Sequence, residues 1–117
     1  MRIAVSFMLV AWALLLAGCG GGGNNPPKPL KTAVMEITIK GGNPVGGIKR
    51  FTVERKQPLS IVVRSDVSDE VHLHGYDKHV VVKAGSFSSI HFDPEIPGVF
   101  VIELEHRGLQ IGELTVK

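Results

Sequence analysis

Five histidines, all between positions 72 and 106, are the residues of this chain best suited to chemistry. His72 and His74 stand two apart in Val71-His72-Leu73-His74. Alternate residues of an extended strand share a face, so this spacing turns both imidazoles the same way. Two imidazoles so placed can share a Cu(II), Zn(II) or Ni(II) ion. A second reading is open on the same residues. Polar residues alternating with Val71 and Leu73 also describe the solvent face of a half-buried strand, which needs no ligand. His79 and His91 flank other strands and read as structural. Asp66, Asp69 and Glu70 read as turn residues and solvated charge. Tyr76, after Gly75, reads as a ring packed over the edge of the core with its hydroxyl free. Catalytic patterns are not found. Gly41-Gly42 and Gly46-Gly47 are followed by no helix that could cradle a phosphate, and no serine lies in a nucleophile elbow. The expectation is a non-enzymatic protein.

The other residue with chemistry of its own is the single cysteine, Cys19. One cysteine excludes an internal disulfide framework and a zinc site made of several thiolates. Its surroundings give it a different role. Met1-Arg2 supplies one positive charge, and the apolar run from Ile3 to Leu16 follows it. That run is short of the ~20 residues of a spanning helix and suits the h-region of a signal peptide. It ends in Leu16-Ala17-Gly18-Cys19, which resembles the bacterial lipobox. The resemblance implies that the Cys19 thiol is acylated with diacylglycerol and the chain is cut before it. The new N-terminal amine is then usually acylated as well. Two or three acyl chains hold a protein stably at a membrane, at about 0.8 kcal/mol per buried CH₂. Gly20 rather than Asp after the cysteine points to the outer membrane in sorting of the enteric type. The implied location is the bacterial cell envelope, facing the periplasm, with the lipid membrane as one partner and an envelope protein as a candidate second.

These segments divide the 117 residues into a signal peptide (1–18), a lipidated cysteine with its tether (19–31) and one folded domain (32–117). The tether reads GGGGNNPPKPL after Cys19, flexible first and stiffer through its prolines. Composition follows the division, since 16 of the first 19 residues are apolar, including the only tryptophan, Trp12. With 13 Lys and Arg against 11 Asp and Glu, the net charge of +2 is too balanced for a nucleic-acid-binding surface.

From Thr32 onward the pattern has period two. Met35, Ile37 and Ile39 alternate with polar residues, as do Phe51 and Val53, Leu59, Ile61 and Val63, Val71 and Leu73, and Phe100, Ile102 and Leu104. Val80-Val81-Val82 and Phe87 to Phe92 add two runs, and Leu114 and Val116 end the chain. Gly-, Asn- and Pro-rich turns separate them. Seven to eight short strands without a helical repeat predict an all-β, antiparallel sandwich or barrel, with the core between its inward faces.

The stretch from Ile48 to Lys117 resembles the cupredoxin-like domains of bacterial envelope proteins, and is most similar to those associated with periplasmic iron uptake. Three segments carry the likeness: Ser65 to Asp77, Lys83-Ala84-Gly85-Ser86-Phe87, and Pro97-Gly98-Val99-Phe100 through Gly112-Glu113-Leu114-Thr115-Val116. The resemblance implies a Greek-key β-sandwich with a metal at the end of the final hairpin. Copper-binding members place a cysteine, a histidine and a methionine there. In this chain the cysteine position falls at about Leu104, the histidine at His106, and the methionine at Leu109 or Gln110. Blue copper needs two imidazoles and a thiolate. Without the thiolate, electron transfer of that type is excluded. The resemblance leaves a sulfur-free site of His72, His74 and His106, with Asp77 or Glu70 as an oxygen ligand and copper as the first candidate ion. The alternative is a metal-free structural or protein-interaction module of the same fold.

Overall fold

A computed structural model describes residues 20–117. The segment read as a signal peptide (1–18) and Cys19, read as the lipidation site, lie outside the described residues. Residues 20–32 are exposed and carry neither strand nor helix. Nine strands follow: β1 (Ala33–Lys40), β2 (Asn43–Pro44), β3 (Lys49–Val53), β4 (Leu59–Ser65), β5 (Asp69–Leu73), β6 (Lys78–Val82), β7 (Ser86–Phe92), β8 (Gly98–Leu104) and β9 (Leu109–Val116). A single 3₁₀ turn, Glu105–Arg107, joins the last two. Among the described residues no helix is long and apolar enough to cross a membrane.

Alternation decides which side chains face inward. Met35, Ile37 and Ile39 of β1 are buried while Val34, Glu36, Thr38 and Lys40 are exposed. Leu59, Ile61 and Val63 of β4, Val71 and Leu73 of β5, Ile102 and Leu104 of β8, and Ile111 and Leu114 of β9 join them in one core. Each such side chain contributes about 1.5–3 kcal/mol by leaving water.

The strands form two sheets, ordered β2-β1-β4-β7 and β3-β9-β8-β5-β6. The expectation of purely antiparallel pairing is corrected at two places. β1 pairs in parallel with β4, and β3 in parallel with β9. The chain leaves the first sheet after β2, lays β3 in the second, and returns to the first as β4. Parallel neighbours cannot be joined by a tight hairpin and need a crossover connection, and here β2 and β3 lie between β1 and β4 in the chain. Local alternation specifies strands and faces but carries no information about these long-range partners.

A bulge at Ile111 sharpens the second sheet. Ile102 pairs with Gly112 and Glu103 with Gln110, leaving Ile111 as the extra residue. The shift lets Ile111 and Gly112 both stay buried. It also lies beside Glu103.

Tyr76 closes one end of the sandwich, and its hydroxyl is not free. It donates to the Ile96 carbonyl at 2.6 Å and accepts the Ile96 N–H at 2.9 Å. Its ring packs against Phe92 and Phe100, at centroid distances of 4.9 and 4.5 Å. Asp69 departs further from the solvated charge expected of it, because its side chain is fully buried.

Candidate metal centre

The outer face of the five-stranded sheet gathers three of the five histidines, His72, His74 and His79. In the β5–β6 ladder His72 lies opposite His79, and in the β5–β8 ladder it lies opposite Glu103. His79, His72 and Glu103 thus form one row across three strands. Val71 and Leu73 point into the core, so His72 points out, in the direction the alternation requires. The three imidazoles stack: His72 lies 3.9 Å from His79 and 4.1 Å from His74, centroid to centroid.

Carboxylates surround this stack. His72 Nδ1 is 2.8 Å from Glu105 Oε2, and His72 Nε2 is 3.7 Å from Asp77 Oδ1. His79 holds Glu70 with Nδ1 at 2.9 Å and Asp77 with Nε2 at 3.0 Å. The His72 side chain is only 15% exposed, so these contacts are partly withdrawn from water. His74 Nε2 lies 2.7 Å from Glu103 Oε1. That nitrogen is buried and makes no hydrogen bond, the orientation being wrong for one. A buried ring nitrogen beside a carboxylate oxygen, without a hydrogen bond between them, is an arrangement that a cation satisfies.

Among the described residues, two groups can offer converging ligand atoms within 4.8 Å of one another: His72, His74, Glu103 and Glu105, and His72, Asp77 and His79. His72 and His74 are therefore brought together. His106 is in neither group. The backbone N–H of His106 donates to Asp69 Oδ1 at 2.9 Å, and its imidazole is 71% exposed, with Nδ1 3.6 Å from the same oxygen. The Leu104 side chain, at the position where the resemblance places a thiolate, is fully buried in the core. Asp77 stands in the second group, while Glu70 is held by His79. His91 is on β7 in the other sheet, exposed and opposite Ser60.

Reading the sequence missed Glu103, Glu105 and the participation of His79. The signal that could have found them was the alternation that turns Glu103 of β8 outward, with Glu105 following at the same spacing in the 3₁₀ turn. It becomes useful only once β8 is known to lie beside β5.

The charge environment is reciprocal. Hydrogen bonds to Asp77 and then Glu70 raise the His79 pKa. Both of its ring nitrogens face carboxylates, so only the imidazolium satisfies both. The hydrogen bond with His79 holds Asp77 below the ordinary carboxylate range, and the one with His72 lowers Glu105. At Asp69 burial pushes the pKa up. The backbone N–H of His106, the Arg107 guanidinium and the Glu70 N–H outweigh it and leave the carboxyl lowered. The His79–Asp77 pair gives a pH dependence of known sign. His79 contributes stability fully below its ordinary value of 6.5, lost as pH rises through the raised folded value. Asp77 contributes above its ordinary value of 3.8, lost as pH falls through its depressed one. The expected result is a maximum of this contribution between those ordinary values. Urea titrations of metal-free protein across pH should show that His79→Gln flattens the alkaline side of the profile. An unchanged profile would contradict this.

No protein-family model matches the chain, and no curated protein matches its sequence. Solved structures do. The chain is similar to the solution structure of a copper-binding protein in its apo form, at 17% identity and TM-score 0.62, over 77% of this chain and 92% of that one. It is similar to the metal-binding domain of the Cu(I)-exporting P-type ATPase of Streptococcus pneumoniae, at 14% identity and TM-score 0.60, over 74% and 86% of the two chains. Auracyanin from Roseiflexus castenholzii matches at 13% identity and TM-score 0.58, over 74% and 98%. At these identities the likeness establishes the fold. The two mixed sheets and these structural neighbours together make the folded part of this chain a cupredoxin-like β-sandwich.

Proposed function

We propose that this domain is a non-enzymatic metal-binding module that holds copper as Cu(II) through His72 and His74, with Glu103 and Glu105 as carboxylate ligands. The observation that carries the reading is the convergence of ligand atoms from these four residues, with the buried Nε2 of His74 unbonded beside Glu103. Two imidazoles and two carboxylates form a nitrogen–oxygen set that suits Cu(II) better than Cu(I), which prefers sulfur. Residues 20–117 contain no cysteine, so thiolate chemistry has no ligand within the domain. Copper is favoured over zinc because two of the structural neighbours are described as binding copper or holding Cu(I). Acylation of Cys19 would anchor the module to a bacterial envelope membrane, with the residues that follow as a tether.

A second reading has its own observation. The ring nitrogens of His79, and Nδ1 of His72, already face carboxylates at hydrogen-bond distance, so the cluster is also a self-consistent metal-free network. That favours an interaction module of the envelope.

Titrating the purified protein with Cu(II) against a competing chelator separates the two. Removing both imidazoles in His72→Ala/His74→Ala is expected to weaken Cu(II) binding by at least ~100-fold, since even residues that merely orient ligands are worth about 10–100-fold. Affinity should also fall at low pH, because imidazole must be unprotonated to bind. Equal affinity of the double variant and the parent protein would remove the metal reading and leave the interaction module.

A further inference from the structure

His72 belongs to both ligand groups, and it faces them with opposite edges of one ring. Its Nδ1 edge meets Glu105, a member of the group with His74 and Glu103, at 2.8 Å. Its Nε2 edge meets Asp77 at 3.7 Å, and the same Asp77 oxygen is 3.0 Å from His79 Nε2. We propose that the outer face of the sheet is a two-ion site in which the His72 imidazole bridges a second divalent metal, held by Asp77 and His79, to the one held by His74, Glu103 and Glu105. This extends the single-ion reading above and rests on it.

The chemistry balances simply. A neutral imidazole has one free nitrogen lone pair and one N–H. To bind through both nitrogens His72 gives up that proton to solvent, and each nitrogen forms one bond to metal. The carboxylates of Glu70, Asp77, Glu103 and Glu105 all contact the imidazole stack and oppose the positive charge of two divalent ions. Position in the fold favours the arrangement. His79 and His72 are directly opposed in the β5–β6 ladder, and the backbone there sets their separation. Asp77 sits in the connecting turn at φ +52°, a conformation that asparagine and aspartate tolerate best, which aims its carboxylate across both rings.

The test uses Cu(II) alone, with the stoichiometry and the electron-spin signal followed together. The expected result is two tight equivalents per chain. The signal should grow to one spin per chain with the first equivalent, then fall towards zero with the second, because an imidazolate bridge pairs the two copper spins. His79→Ala and Asp77→Asn, both changes at exposed side chains, should each leave one equivalent and an undiminished signal. One equivalent in the parent protein, lost in His72→Ala/His74→Ala, would overturn the second ion and keep the first. Two equivalents with two independent spins would overturn the bridge. Two equivalents surviving in His79→Ala would overturn the ligand assignment. No tight equivalent at all would overturn this inference and the single-ion reading together.

Discussion

Asp69→Ala is expected to destabilise the domain by about 3 kcal/mol. The carboxylate is fully buried at the start of β5 and serves three partners at once. Oδ1 accepts the backbone N–H groups of Glu70 at 2.7 Å and His106 at 2.9 Å, and Oδ2 pairs with the Arg107 guanidinium. Alanine would strand two backbone donors and remove the counter-charge of Arg107. Breaking a buried ion pair from one side costs about 3–5 kcal/mol, and a stranded buried donor about 1–3 kcal/mol. Arg107 is 38% exposed and can recover part of its hydration, which places the total near the lower end. Chemical denaturation should show a lower midpoint with an unchanged slope, the mark of a stability change without a change in the surface exposed on unfolding. A loss below about 1 kcal/mol would contradict the triple role. The consequence reaches the metal site, because Asp69 fastens the 3₁₀ turn that carries Glu105. Copper affinity should fall in Asp69→Ala although the residue touches no ligand nitrogen.

Gly75→Ala is expected to cost about 3 kcal/mol for a different reason. Gly75 sits at φ +82°, and a Cβ added there would lie 2.5 Å from Phe100 Cδ1 and 2.8 Å from Cε1. The backbone conformation costs a residue with a side chain about 1–2 kcal/mol, and forcing a methyl into packed space about 1–3 kcal/mol. Phe100 cannot yield easily, because Tyr76 packs on its ring and is itself pinned to Ile96. Gly85 provides the control. It has a similar φ of +76° with nothing within 4 Å of its would-be Cβ, so Gly85→Ala should show only the backbone part, about 1 kcal/mol. Equal midpoints for the two variants would show that the Phe100 contact is not what makes Gly75 necessary.

These two residues also mark how much could be read from the chain beforehand. Alternation identified the core faces of β1 and β5 and the core residues of β4 and β8, because burying every second side chain is a local requirement, although Ser60 on the other face of β4 is buried as well. It placed His72 and His74 on one face for the same reason. Partner strands are a different matter. Glu103 is 31 positions from His72, and only the β5–β8 ladder makes them neighbours. His79 looked structural because it stood on another strand, yet the β5–β6 hairpin lays it directly against His72. Asp69 looked like a solvated turn residue because sequence does not reveal that the 3₁₀ turn folds over it. His106 was placed by likeness to copper-binding relatives of the fold. Here its backbone closes that turn on Asp69, and its ring is turned to solvent away from both ligand groups. The absence of cysteine from residues 20–117 was legible at once, and Leu104, where the resemblance places a thiolate, is buried in the core.

The most direct test is to locate the metal. Crystals of Cu(II)-loaded protein, measured at the copper absorption edge, should give an anomalous peak among His72, His74, Glu103 and Glu105 on the outer face of the sheet. A peak at the end of the β8–β9 hairpin beside His106, or no ordered peak in protein that carries stoichiometric copper, would contradict a histidine–carboxylate copper site on this face.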